Sequence, residues 1–276
     1  MPEFFAETIK ALALDLDGTL LRPDNSLSER AIQTLKTCLN RGMKVILCTG
    51  RSAESSEQYR QAIGAEGPMV YFNGAEVVDM PSGKVLNAGL LDPAVADYCA
   101  DLARRRGLYY QAYIPQSPTL LITETYAPEA EIYRRHTGIR PVAGNLKDAL
   151  RSPGVSGCIK SMFITDPSLH EGIRAELLER FGDSIYVVRS SPTFLEILRS
   201  GVSKGEGLKY ALAYYGLKGA QAAAFGDEEN DLPMFAVAGF SAAPINAKEQ
   251  VRLAAKRVIG SNAEDGVASF LERNLH

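Results

Sequence analysis

The chain has 276 residues, 46% of them hydrophobic and 23% charged. That length exceeds one small domain and suits one large or two modest ones, with roughly three quarters of the unfolded surface leaving water on folding. A formal net charge of −3 excludes a general pull toward nucleic acid or an anionic membrane, so any phosphate binding must come from a local site.

Cys38, Cys48, Cys99 and Cys158 are scattered, as are His136, His170 and His276. Neither set has metal-ligand spacing, which favours core thiols in a reduced, cytoplasmic protein. The N-terminal ten residues lack a basic region followed by an apolar one, and no apolar run approaches a membrane span.

In chain order, Ala11 to Leu21 reads A-L-A-L-D-L-D-G-T-L-L. The short apolar run predicts a buried strand of a parallel sheet, with Asp15 at its C-terminal end, where open α/β sheets bind ligands. Asp17 follows two residues later. Ser26-Leu27-Ser28-Glu29 has the spacing of a capping box, and a helical repeat runs on to Gly42. Met43 to Cys48 predicts a second strand, ending at Thr49-Gly50-Arg51, and a helix spans about Ser52 to Ile63. Pro68 to Phe72 predicts a third strand, closing on Asn73-Gly74. This β-α-β-α-β order predicts a parallel sheet with right-handed crossovers.

The pattern then changes. Ala75–Asp79 and Lys84–Asn87 flank Pro81-Ser82-Gly83, a hairpin signal. A helix opens at Asp92-Pro93, and strands are expected at Leu108–Ile114 and Thr119–Thr123. Next come a helix over Pro128–Thr137, a less regular piece, a strand at Ile159–Thr165 and a helix from Asp166-Pro167 to Phe181. Strands at Ser184–Arg189 and Thr193–Leu198 complete an α-β-β…α-β-β block. Residues 84–198 therefore read as an inserted α+β domain, with 1–83 and 199–276 forming the core. The first style returns at Ser203-Lys204-Gly205-Glu206, a second S-x-x-E box. A small-residue strand at Gln221–Phe225 then ends in Gly226-Asp227-Glu228-Glu229-Asn230-Asp231.

Parallel strands would gather Asp15, Asp17, Thr49, Lys204, Asp227, Asn230 and Asp231 at one sheet edge. Oxygen-only ligands of this kind suit Mg²⁺, with Asp15 and Asp227 as side-chain ligands. A carboxylate approaching a phosphate dianion at about 4 Å meets roughly 8 kcal/mol of repulsion at an effective dielectric of about 20. The metal and the Lys204 ammonium would offset it. Thr49 could donate its hydroxyl to phosphate, and the N–H groups around Gly50 open a helix, a favourable anion site. Asp17 is placed to protonate a leaving oxygen and later to activate water. Taken singly, Lys204 reads as a solvated lysine, Thr49 as a helix cap and the acidic loop as a dipole-stabilising turn. Only the ordered set argues for chemistry.

That set resembles the haloacid dehalogenase-like superfamily of phosphohydrolases. The matching residues are D-L-D-G-T-L at Asp15–Leu20, T-G-R at Thr49–Arg51, S-K-G at Ser203–Gly205 and G-D-E-E-N-D at Gly226–Asp231. F-N-G-A at Phe72–Ala75, N-A at Asn246-Ala247 and E-D-G-V at Glu264–Val267 extend the similarity to the Cof-type branch, with its subclass IIB cap. The resemblance implies a Rossmann-like doubly wound α/β core with an inserted cap. It implies Asp15 as the nucleophile that forms an aspartyl-phosphate, Asp17 as acid/base with its backbone carbonyl on Mg²⁺, and Asp227 on the metal. Asn230 and Asp231 would order the metal site behind these. Leu16, Thr49, Gly50, Lys204 and Asn230 would bind the phosphoryl group, and Arg51, Asn73, Gly74 and Lys160 would face the substrate. For Lys160 a solvated strand-end lysine is the competing reading.

The implied substrate is a sugar phosphate, or a nucleotide or cofactor phosphate such as flavin mononucleotide or pyridoxal phosphate. The protein would act as a monomer or homodimer without nucleic-acid or membrane partners. A phosphotransferase or mutase of the same fold, and a non-catalytic phospholigand binder, are the alternatives. Pro244 in Ala242-Ala243-Pro244-Ile245 departs from the branch's usual stretch and leaves that loop's conformation open.

Overall fold

The computed structural model describes residues 7–115 and 119–275. The readings that rest on the first six residues and on His276 lie outside them. The chain divides into two compact units, Met1–Asn87 with Ser203–His276, and Ala88–Val202. The boundaries thus fall at 87/88 and 202/203 rather than at 83/84 and 198/199.

In the first unit, β1 (Ala11–Leu14) leads to α1 (Glu29–Asn40), β2 (Lys44–Leu47), α2 (Ala53–Ile63), β3 (Gly67–Tyr71), β4 (Glu76–Met80) and β5 (Lys84–Ala88). The inserted unit holds α3 (Pro93–Arg106), β6 (Tyr109–Ile114), β7 (Leu120–Thr123), α4 (Pro128–Thr137), β8 (Val142–Ala143) and α5 (Leu146–Leu150). It continues with β9 (Lys160–Ile164), α6 (His170–Phe181), β10 (Ile185–Ser191) and β11 (Phe194–Arg199). The chain then returns to the first unit with α7 (Lys204–Tyr214), β12 (Ala222–Phe225), α8 (Leu232–Val237), β13 (Phe240–Pro244), α9 (Glu249–Ala254), β14 (Arg257–Ile259) and α10 (Gly266–Asn274).

The core sheet has the order β14-β13-β12-β1-β2, parallel throughout. β12 lies at its centre with β1 beside it, and all four residues of each are buried. Such apolar runs suit a sheet covered on both faces. Leu14 is level with Phe225 on one side and Leu47 on the other. The residues just beyond, Asp15, Gly226 and Cys48, therefore emerge at one edge. Small side chains let α7 approach closely. A Cβ on Gly207 would lie 2.4 Å from Val70, and one on Gly205 would lie 2.4 Å from the Pro233 carbonyl oxygen.

Two local expectations need correction. The third strand belongs mainly to another sheet, of order β3-β4-β5, where β3 pairs antiparallel with β4. It meets β2's end through the parallel bridge Cys48–Val70, the bond from Thr49 N to Val70 O at 2.9 Å and the bond from Leu47 N to Met69 Sδ at 3.3 Å. The reason is the turn Phe72–Gly74, where Phe72 (φ 50°) and Asn73 (φ 58°) take left-handed backbone angles and reverse the chain at once. Nor is Ser26 the cap of the first helix. Ser28 is the N-cap, accepting from Ala31 N at 3.0 Å, while Ser26 donates to Asp24 at 2.6 Å. The second box fares better, since the Ser203 hydroxyl accepts from Glu206 N at 3.1 Å. Pro244 is accommodated as the last residue of β13, and its carbonyl accepts from Ala247 N at 2.9 Å.

The inserted unit is a six-stranded sheet ordered β10-β11-β9-β6-β7-β8, antiparallel except for β7 with β8. On one face Ala112, Phe163, Leu195 and Ile197 pack with Val95, Cys99 and Leu102 of α3 and with Ile173 and Leu177 of α6. The pleat sends alternate residues to the opposite face. There Tyr113 stands opposite Lys160, and Met162 lies between Gln111 and Glu196. Among the described residues, no helix is long and apolar enough to cross a membrane.

Candidate active site

Sheet pairing fixes Asp15 first. Its N–H donates to Phe225 O at 3.0 Å, continuing the β1–β12 ladder past the strand ends. Its carboxylate is buried, and its Oδ1 accepts from the Lys204 ammonium at 2.6 Å. Lys204 opens α7, so its direction is set by the Ser203 cap. Its second bond, also 2.6 Å, goes to Asp231 Oδ1. The other oxygen of Asp231 accepts from the N–H groups of Asp227 and Glu228 at 2.8 and 3.0 Å. Asp231 thus shapes the turn that presents Asp227, and Thr19 orients Asp227 by donating to its Oδ1 at 3.0 Å. Gly18 passes so close that a Cβ there would lie 2.2 Å from Asp227 Oδ2, and its φ of +79° is itself a glycine angle.

The second group of residues comes from the β2 and β3 ends. Thr49 is fully buried, and its hydroxyl accepts from Arg51 N at 3.1 Å. Arg51 is buried and grips Asp17 in two hydrogen bonds of 2.8 and 2.6 Å. Asn73 receives a bond from Asn230 Nδ2 at 2.9 Å, and a Cβ on Gly50 would lie 3.1 Å from Asn73 Oδ1. Gly74 has a packing reason to be glycine, because a Cβ would lie 2.0 Å from the Ser203 carbonyl oxygen. Leu16 is fully buried, and its carbonyl closes the five-residue turn Leu16–Leu20 by accepting from Leu21 N at 2.8 Å.

Electrostatics follow from burial. Desolvation holds the Asp15 carboxyl well above its ordinary value, the Lys204 charge pulls it back, and Asp231, Asp227 and Asp17 add to the rise. Asp227 is pushed up to about 7, by burial and then by Asp231, with the Thr19 bond opposing. For Lys204, burial favours the neutral amine, but Asp15 and Asp231 outweigh it and keep the ammonium charged.

Ligand-capable oxygens of Asp15, Asp227 and Asp231 all lie within 4.8 Å of one another. This hard, oxygen-only donor set fits a Mg²⁺-like cation. Asn230 Oδ1, buried with no hydrogen-bond partner among the described residues, fits the donors that a hydrated cation's waters bring. The first unit thus gathers every predicted site residue except Lys160, which lies in the inserted unit. There it is 1% exposed and bonds Glu196 Oε1 at 2.8 Å, so it is not a solvated strand-end lysine. Thr19 and Glu196 were not anticipated. Thr19 lay inside the D-x-D-G-T run, and Glu196 was visible as a lone acid within the apolar strand T-F-L-E-I-L.

A sequence profile of haloacid dehalogenase-like hydrolases matches residues 12–271. A 5-amino-6-(5-phospho-D-ribitylamino)uracil phosphatase of Bacillus subtilis, YitU, is 30% identical over 270 residues, covering 95% of this chain and 96% of the relative. An HMP-PP phosphatase of Cronobacter sakazakii is 28% identical, covering 94% and 93%. The crystal structure of TM0651 from Thermotoga maritima superposes with a TM-score of 0.82 at 30% identity, over 96% of this chain and 97% of that one. Similarity at this level runs through both units, and the chain belongs to the haloacid dehalogenase-like hydrolases.

Proposed function

We propose that the chain hydrolyses a small phosphorylated metabolite, with Mg²⁺, through an aspartyl-phosphate on Asp15. The observation that carries this reading is the buried Lys204 ammonium, 2.6 Å from both Asp15 and Asp231 in a cluster that also holds Asp227. Asp15, Asp227 and the Asp17 backbone carbonyl would hold the ion, with Asn230 and Asp231 behind them. When bound, the ion supplies positive charge against two approaching anions.

In the first step the Asp15 carboxylate attacks phosphorus. An O–P bond forms to Asp15, the ester P–O bond breaks, and Asp17 gives its proton to the leaving oxygen. In the second step water attacks phosphorus, Asp17 takes the water's proton, and the Asp15 carboxylate leaves as inorganic phosphate forms. Lys204 keeps Asp15 oriented and neutralises charge on the phosphoryl oxygens, which Thr49 and the N–H groups at Leu16 and Gly50 also meet. Arg51 holds Asp17 by both oxygens, an arrangement suited to the base half of the cycle. Asp17 has to turn from Arg51 to donate its proton.

The leaving group would be a sugar or a nucleotide-like or cofactor-like ring system. The names of two relatives, a ribitylaminouracil phosphatase and an HMP-PP phosphatase, support small phosphorylated metabolites of this size. We assign substrate contact to Arg51, Asn73 and Gly74 of the core unit, and a cytoplasmic setting. The test is phosphate release from a panel of sugar, nucleotide and cofactor monophosphates with and without Mg²⁺. Release that needs Mg²⁺ is expected for at least one class. No release from any ester, or transfer of label to an added sugar instead of water, would overturn the hydrolase reading.

A further inference from the structure

The ladder that fixes Asp15 ends at Asp15. Asp17 lies beyond the sheet, in backbone that is not helical (Asp17 ψ 121°, Gly18 φ 79°), although it sits inside the Leu16–Leu20 turn. Something other than strand pairing has to hold it. Two asparagines reach back to this turn from the far strands of the core sheet. Asn246, just after β13, donates its Nδ2 to Gly18 O at 2.8 Å. Asn262, just after β14, donates its Nδ2 to Leu21 O at 2.8 Å. The two are joined, because Asn262 N donates to Asn246 Oδ1 at 3.0 Å. Arg22, the next residue along, is tied to Asp265 by bonds of 3.1 and 2.8 Å.

We propose that Asn246 and Asn262 are positioning residues for the reaction, clamping the carbonyls of Gly18 and Leu21 so that Asp17 stays in register with Asp15. The inference rests on the phosphatase reading above. Each amide bond goes to a carbonyl of the turn or just past it, with none to a core strand. Asn246 is exposed while Asn262 is buried, so the clamp is anchored at one end and reaches out at the other. The purpose of such a contact is geometric, since small displacements of a catalytic group cost orders of magnitude in rate.

Leaving groups separate this role from a structural one. A proton from Asp17 matters greatly when the leaving oxygen is strongly basic, as in an alkyl phosphate. It matters little for p-nitrophenyl phosphate, whose leaving group departs as the anion. The experiment compares kcat/KM for glycerol 2-phosphate and p-nitrophenyl phosphate in wild type, Asn246→Ala, Asn246→Gln, Asn262→Ala and, as the reference, Asp17→Asn. We expect the alkyl-to-aryl ratio to fall about tenfold or more in both alanine variants, in the same direction as the larger fall in Asp17→Asn. The longer amide of Asn246→Gln should restore much of the ratio. Equal losses on both esters, or no loss on either, would leave the asparagines structural and overturn the proposal. A wild type inert toward both esters and toward the whole panel above would instead remove the phosphatase reading, and the clamp's role with it.

Discussion

Two lysines, Lys204 in the core unit and Lys160 in the inserted unit, are each 1% exposed and each bonded to a carboxylate within 2.8 Å. Their surroundings differ in charge balance. Among the described residues Lys160 meets the carboxylate of Glu196, which also accepts from Ser190 Oγ at 2.8 Å, and its ammonium lies 5.7 Å from the Tyr113 ring centroid. One ammonium and one carboxylate balance within that pair. Lys204 serves a group of three carboxylates, so full ionisation leaves negative charge in excess. Burial of an unbalanced group is expensive. The same residue type therefore completes one cluster and leaves the other in need of a cation.

The largest effect should come from Asp15, the proposed nucleophile. Asp15→Asn is expected to lower phosphate release by about a thousandfold or more at saturating Mg²⁺, with no phosphoenzyme trapped in a rapid quench. A loss of less than tenfold would mean that the unbalanced cluster is not where the bond to phosphorus forms.

Next in size is the balanced pair. Lys160→Met strands Glu196 in the interior and should cost about 3–5 kcal/mol in urea unfolding. Adding Glu196→Met should recover most of it, because two apolar side chains replace a neutral pair. A double variant as unstable as the single one would show that the face around Tyr113 depends on the charges themselves.

Acidity should sharpen the contrast. Burial raises the folded-state pKa of Asp15 and brings Asp227 to about 7. Without metal, the folded state holds protons that the unfolded chain has released above about pH 4. Stability then falls as pH rises from about 4 to 7, since the folded state binds more protons. A cation that replaces those protons works against this fall. The gain in Tm on adding Mg²⁺ should therefore be larger at pH 8 than at pH 5, and an equal gain at both would remove the carboxylates from the metal site.

The smallest effect is expected at Glu76, a buried carboxyl held at about 7 by desolvation alone. Among the described residues no hydrogen bond or ion pair reaches it, so it is the limiting case of a carboxylate with no cation. Glu76→Gln should stabilise the protein by about 1–3 kcal/mol at pH 8 and by almost nothing at pH 4, as urea titrations at the two pH values would show.

Much of this was legible in the sequence because it is local. A strand end followed by a polar motif places Asp15, Thr49 and Asp227 without knowledge of the rest of the chain, and Pro128–Thr137 is helical over the span that its flanking signals predict. Pairing partners were harder to read. Pro68–Phe72 looks like another buried parallel strand, and only the left-handed angles at Phe72 and Asn73 send it back antiparallel along β4. The burial of Lys160 depends on Glu196, 36 residues away. The grip of Arg51 on Asp17 spans 34 residues. No periodicity encodes such meetings, because they depend on which sheet face each residue occupies.

Strand β1 pairs with β2 on one side and with β12 on the other, and these partners lie at residues 44–47 and 222–225. A ribosome makes about 5–20 residues per second, so one side of β1 waits roughly ten to forty seconds for its partner to be made. Over that interval a wholly apolar strand presents an open edge, the kind of surface on which chains stick to one another. Asp15 also has no lysine beside it until Lys204 is made, so a nascent chain carries that carboxylate without its ammonium partner. Refolding yield should accordingly depend on protein concentration, and on whether a chaperone covers that edge until the final quarter of the chain arrives.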